Sequence, residues 1–255
     1  MSKIEGSDNS DYINANWIYG YDGSPKKYIA TQGPNTDTFN DFWKMIWENQ
    51  VHVVVMLTRE VEGGDLKCDK YWTDTEKSFG DVSVVMVKSK KRTQDIIKNK
   101  FKIVNKQLSE NNERHLIQYQ FVGWPDHGTP SSTESFLLLM ELVEATAFKY
   151  GGPICVHCSA GVGRTGTFFT IHIIIEVIRE YFEKMKTKLR SGANLNISDL
   201  PAINVVNTIL ALRTQRMGMV QTKDQLEFCY QVILSEYNKL WKELFPRKAS
   251  LPKGQ

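Results

Sequence analysis

Two chemically complementary residues, Cys158 and Arg164, stand six positions apart in the string His157-Cys158-Ser159-Ala160-Gly161-Val162-Gly163-Arg164-Thr165. A loop of small, flexible residues at the mouth of a helix can turn successive backbone N–H groups inward so that they converge on one anion. Arg164 then adds a bidentate fork to two phosphate oxygens. The same N–H dipoles, helix end and guanidinium favour negative charge on Cys158, so its thiol is expected to ionise well below the roughly 8.5 of a free cysteine. A thiolate is a ready nucleophile, and the spacing points to attack on a phosphate ester.

Such an attack needs a proton donor, because the oxygen of a phosphate ester leaves slowly unless it is protonated as the P–O bond breaks. Trp124-Pro125-Asp126-His127-Gly128 supplies a carboxyl group between a rigid proline and a flexible glycine, as a mobile lid requires. By itself an aspartate after proline is ordinary turn chemistry; its combination with Cys158 gives it a role.

The same residues admit other readings. A lone cysteine is usually a small buried hydrophobe. Cys155-Val156-His157-Cys158 is a Cys-x-x-Cys pair, but Cys155 falls on an expected strand, which weakens a redox dithiol. With His157 these cysteines could seed a zinc site, yet no second ligand pair follows at suitable spacing. Gly161 to Gly166 matches the glycines of a nucleotide P-loop, but Thr167-Phe168 stands where Lys-Ser/Thr is required.

These groups need elements to position them. Ile154 to His157 reads as a short strand after Gly152-Pro153, the glycines at 161 and 163 break it, and an apolar helical segment runs on from Thr167. Val51 to Leu57, Asp81 to Val87 and Ile117 to Phe121 have the β-branched and aromatic content of strands. Helical spacing marks Thr38 to Trp47, Ser132 to Phe148 and Lys223 to Leu240, the second capped by Ser131 or Ser132 with Glu134 or Ser135. Tyr181 to Ile203, rich in Lys, Ser, Asn and Gly and carrying Pro201, is expected to be a surface loop or insertion.

The 255 residues contain no repeat, low-complexity tract or linker, so one domain over 1–255 is the simpler expectation. A net charge of +3 favours no polyanionic partner, and nucleic acid in particular is not expected, so any phosphate specificity must be local. Four cysteines are too few for a disulfide scaffold and suit reduced thiols in a cytoplasmic setting. The longest apolar runs fall short of the roughly 20 residues of a membrane span, and no membrane contact is evident in the sequence.

The string VHCSAGVGRTG resembles the Cys-x5-Arg signature of the protein-tyrosine phosphatases, in their receptor-like and cytoplasmic phosphotyrosine-specific branch. Other segments follow in that family's order: DYINANWI at 11–18, TQGP at 31–34, FWKMIWE at 42–48, LKCDKYW at 66–72, WPDHGTP at 124–130 and VQTKDQLEF at 220–228. The likeness covers about residues 11 to 240 and implies one α/β domain, a highly twisted mixed β-sheet flanked by helices. It makes Cys158 the nucleophile that becomes phosphocysteine and the backbone from Ser159 through Ala160, Gly161, Val162 and Gly163 to Arg164 the phosphate loop. Thr165 would stabilise the departing thiolate, and His157 would help lower the cysteine's pKa. Asp126 would be the acid on a closing loop, Gln221 and Gln225 would orient the hydrolytic water with Gln221 foremost, and Glu62 would pair with Arg164. Tyrosine-phosphorylated proteins are the implied partners, with no cofactor and no metal, since arginine, dipoles and helix end stabilise the phosphoryl group.

There are departures. The family carries an Asn-Arg-Tyr segment upstream of DYINA whose tyrosine walls the pocket, and Met1 to Ser10 lacks it, so weaker selectivity for phosphotyrosine is expected. The interval from Arg164 to Gln221 is long, and an insertion near 183–203 is expected to alter partner contacts rather than catalysis. The alternative reading is an inactive domain that binds phosphotyrosine without hydrolysing it; a dual-specificity enzyme stands behind that.

Overall fold

A computed structural model describes residues 12–192 and 203–246. Four strands form the parallel centre of the sheet: the short β2 (Tyr28–Thr31), β3 (Val53–Met56) and β10 (Ile154–His157), and the longer β9 (Glu113–Phe121). Register aligns Val156 with Ala30 on one side of β10 and with Val55 on the other. Strands buried on both faces read as continuous apolar runs, which is why Val53–Met56 and Ile154–His157 show no alternation. Antiparallel partners extend both edges: β1 (Ala15–Ile18) beside β2, then β8 (Ile96–Asn105), β7 (Val82–Lys91) and β6 (Lys77–Phe79) beyond β9. The order is β1-β2-β10-β3-β9-β8-β7-β6, with β4 (Val61–Glu62) and β5 (Asp65–Leu66) a separate hairpin.

Helices cover both faces. α1 (Phe39–Glu48) buries Phe39, Phe42, Trp43, Ile46 and Trp47, a three- and four-residue spacing that lays one stripe against the side carrying Val54, Met56 and Cys155. The opposite side, with Val53, Val55 and Val156, is covered by α2 (Thr133–Tyr150), α3 (Gly163–Arg190) and α5 (Lys223–Leu244); α4 (Val205–Gln215) packs at the β1 edge. Ser132 Oγ accepts from the Ser135 N–H, and Thr222 caps α5 in the same way through Gln225 N–H. Among the described residues no helix is long and apolar enough to cross a membrane.

Two expectations need correction. The helix after the phosphate loop begins at Gly163 rather than Thr167, and it continues to Arg190, so Tyr181 to Arg190 is not loop. Tyr181, Phe182 and Met185 keep the apolar stripe going, and Lys188 and Arg190 in the last turn suit the helix's negative end. Residues 193–202, the rest of the expected insertion, lie outside the described residues, as do 1–11.

Candidate active site

The site stands where β10, β3 and β9 end. Cys158 follows β10 directly, and the chain turns through five residues before α3 starts at Gly163, so a long helix points its N-terminus at the thiol. The carbonyls of the loop are all held outward. His157 O accepts from Leu57 N–H (2.9 Å), Ser159 O from Gly33 N–H (2.8 Å) and Val162 O from Gly166 N–H (2.8 Å). Cys158 O faces His157 Nδ1 at 3.1 Å. Arg216 holds the remaining two, donating from Nε to Gly161 O (2.8 Å) and from Nη2 to Ala160 O (3.1 Å). With the carbonyls so engaged, the N–H groups from Ser159 to Val162 have no protein acceptor among the described residues and are free to bind an anion as a nest of backbone donors can.

The two loop glycines differ in what they allow: backbone demands the first, and side chains use the space beside the second. Gly161 has φ +69°, and a Cβ there would stand 2.1 Å from Thr31 O. Gly163 leaves space for two side chains: a Cβ would lie 2.6 Å from Gln221 Oε1 and 3.0 Å from Gln225 Nε2.

Around Cys158 the predicted groups converge on one cleft of about 350 Å³, lined by Cys158, Arg164, Asp126, Gln221, Gln225 and Glu62 among others. Thr165 Oγ1 is 3.3 Å from Cys158 Sγ. Arg164 forks onto Glu62, Nη1 to Oε1 at 2.8 Å and Nη2 to Oε2 at 2.7 Å, and also donates to Leu57 O and Pro125 O at 3.1 Å each. These bonds use all four terminal N–H groups and leave Nε–H, so a two-pronged grip on phosphate requires Nη2 to be shared with Pro125 O. Burial pushes the Glu62 carboxyl up, but bonds from Arg164, Arg59 N–H and the Thr58 hydroxyl outweigh it and hold the group below the usual carboxylate range.

Asp126 is fixed from two sides. Its Oδ1 lies 3.4 Å from Lys67 Nζ, and it packs so close to the β4–β5 turn that a Cβ on Gly63 would sit 2.3 Å from Oδ2. Trp124 anchors the loop, buried against Phe136 and Phe228, with its Nε1–H donated to Gly128 O at 3.1 Å.

His157 is fully buried, and that burial pushes it down to about 4, so the ring is neutral. Its tautomer follows from its neighbours. Gln118 Nε2 donates to Tyr71 Oη (2.7 Å), whose own proton therefore goes to His157 Nε2 at 2.9 Å; Nδ1–H is left to donate to Cys158 O. Gln118 is in turn oriented by Asn99 Nδ2 (2.7 Å), and Asn99 by Ser89 Oγ (2.6 Å). The imidazole thus acts on the loop through its backbone, not through a positive charge. Cys155 points to the other side of the sheet from Cys158 and its thiol is pushed up by burial, which disfavours the redox pair.

Arg216, Lys67 and the Tyr71–Gln118–Asn99 chain went unnoticed in the sequence. Arg216 also bonds Asn14 Oδ1 (2.9 Å) and Asn16 Oδ1 (2.7 Å), two hundred residues away, so only the fold reveals it.

A sequence model described as protein-tyrosine phosphatase matches residues 2–235. Tyrosine-protein phosphatase 2 of Dictyostelium discoideum is 40% identical over 240 residues, 94% of this chain and 58% of its own length. Human receptor-type tyrosine-protein phosphatase C is 40% identical over 242 residues, 94% of this chain and 17% of that protein. Rat tyrosine-protein phosphatase non-receptor type 20 is 37% identical over 236 residues, 91% of this chain and 50% of that protein. The chain therefore spans 58% or less of each of these relatives.

Proposed function

We propose, from the premise that the chain belongs to the protein-tyrosine phosphatase family, that it hydrolyses phosphotyrosine in proteins through a phosphocysteine on Cys158. One observation carries the reading: a loop whose carbonyls all face outward, with N–H groups centred beside Cys158 and with Arg164 and Asp126 on the same cleft. In the first step Cys158 Sγ attacks phosphorus, the P–O bond to the tyrosyl oxygen breaks, and Asp126 gives that oxygen its proton. Tyrosine leaves. In the second step Gln221 and Gln225 orient a water, its oxygen attacks phosphorus while Asp126 takes its proton, the P–S bond breaks with the electron pair returning to Cys158 Sγ, and phosphate departs. The thiolate that returns is met by Thr165 Oγ1–H. Equatorial phosphate charge is stabilised by loop N–H groups and Arg164, an electrostatic role in which a single lost donor costs about 10²–10³ in rate.

Glu62 holds Arg164 in place, and His157 holds Cys158 O so that the carbonyl cannot turn into the nest. The test compares hydrolysis of a phosphotyrosyl peptide, with chelator present, by the parent chain, Cys158→Ser and Asp126→Ala. Turnover is expected in the parent, none in Cys158→Ser, and a loss of about 10²–10⁴ in kcat for Asp126→Ala with peptide still bound. A folded parent that binds the peptide without turnover would move the reading to a phosphotyrosine-binding module.

A further inference from the structure

The net charge of +3 conceals a concentrated one: between residues 88 and 102 seven basic residues stand against one acid. Register turns most of them to one side. Lys88 lies opposite Lys100 and Lys90 opposite Lys98, and Lys102 follows on the same side of β8. Like charges directly opposed across two strands are destabilising, so the pairing works against the fold that contains it. Lys102 is neutralised by Glu113 at 2.7 Å, but the other four have no acid partner among the described residues. Lys98 lays its ammonium 5.4 Å from the Tyr119 ring centroid, and Lys88 and Lys90 are exposed.

We infer that this face of the β7–β8 ribbon docks on an anionic lipid surface. The four lysines without an acid partner form two opposed pairs roughly 7 Å apart along the strands and about 5 Å across, rather than one point, with the paired Lys102 a further step along β8. All five are lysines, compact point charges without the planar fork that reads a single carboxylate or phosphate group. A spread array of this kind matches the smeared charge of a leaflet, which attracts basic clusters within a Debye length. The array also has a direction. Ile96 pairs with Phe121, and Asp95 O accepts from Val122 N–H, so the Lys90–Lys98 end lies at the end of the sheet that carries Asp126. Docking by that end holds the cleft beside the lipid surface; only this consequence rests on the proposed activity.

The test is flotation of the whole chain with vesicles of phosphatidylcholine alone or mixed with phosphatidylserine. Binding is expected only to the mixed vesicles, and it falls as salt rises. Replacing all four (Lys88→Gln, Lys90→Gln, Lys98→Gln and Lys100→Gln) is expected to weaken it by more than about tenfold, with a melting temperature no lower than the parent's and turnover of a soluble aryl phosphate unchanged. A control with the same change in net charge, Lys149→Gln, Lys184→Gln, Lys186→Gln and Lys242→Gln, is expected to bind within about twofold of the parent. Equal loss in both variants, or no binding to mixed vesicles, would overturn the inference. Tighter binding to soluble polyglutamate than to the vesicles would also overturn it and move the face to an acidic protein partner.

Discussion

Arg164 serves two anions at once, the Glu62 carboxylate that holds it and the phosphate it is proposed to stabilise, and its geometry separates it from lysine. Arg164→Lys keeps the charge but loses the fork. It is expected to lower kcat by at least about 10²-fold and to cost on the order of 3 kcal/mol in stability, because Glu62 stays buried with a poorer partner. Steady-state kinetics and denaturant titration read the two effects separately. His157 offers a second test at this scale. Nitrogen NMR of the imidazole is expected to show the proton on Nδ1, and Tyr71→Phe is expected to release that preference and cost about 1–2 kcal/mol. A ring protonated on Nε2 in the parent would contradict the hydrogen-bond assignment.

Elements hold these residues through close approaches and buried charge. Gly161→Ala drives a Cβ into Thr31 O on β2 and is expected to prevent stable folding, whereas Gly128→Ala, with nothing near its Cβ, costs only backbone strain at φ +81°. Among the helices, Arg179 joins α3 to α2 through Glu144 and to α5 through Glu236, whose side chain is 1% exposed. Arg179→Met leaves Glu144 without its cation and the buried Glu236 with only Lys239, 3.9 Å away, and is expected to cost about 3 kcal/mol, read as a lower melting temperature. How legible the elements were in sequence follows from their packing. α1, α2 and α5 were visible because each buries one stripe. β10 and the loop were visible because their residue types carry chemistry. β8 was not read as a strand, since its Lys-Asn-Lys-Phe-Lys alternation puts a depleted residue type on the outer side, and only its partners reveal what the lysines face. β1 lay within a stretch taken as a motif, β2 went unread except for Thr31 at the start of TQGP, and α4 went unread behind Pro201. At the site, Cys158, Asp126, Arg164, Thr165, Gln221, Gln225 and Glu62 could be named from strings, whereas Arg216 and Gln118 act only through contacts between distant strands and loops.

The whole molecule carries its chemistry on a core that contains two buried neutral histidines, and this gives it a pH signature. Burial pushes His157 to about 4 and His172 to about 3, against the ordinary value of 6.5 that each regains on unfolding. Below pH 6.5 the unfolded chain therefore binds protons that the folded chain refuses, and stability falls as pH drops until the folded values are reached. The slope is about 1.4 kcal/mol per pH unit per histidine, so melting temperature is expected to decline steeply between pH 6 and about 4, and less steeply in His172→Phe. An identical slope in that variant would remove His172 from the account. The central claim is the covalent step at Cys158, and rapid mixing of a phosphotyrosyl peptide with Gln221→Ala, quenched in acid and mapped by peptide mass spectrometry, tests it most directly. The expected result is a phosphoryl group on Cys158 within the first turnover, absent in Cys158→Ser. Steady release of phosphate with Cys158 never phosphorylated, or undiminished release by Cys158→Ser, would contradict it.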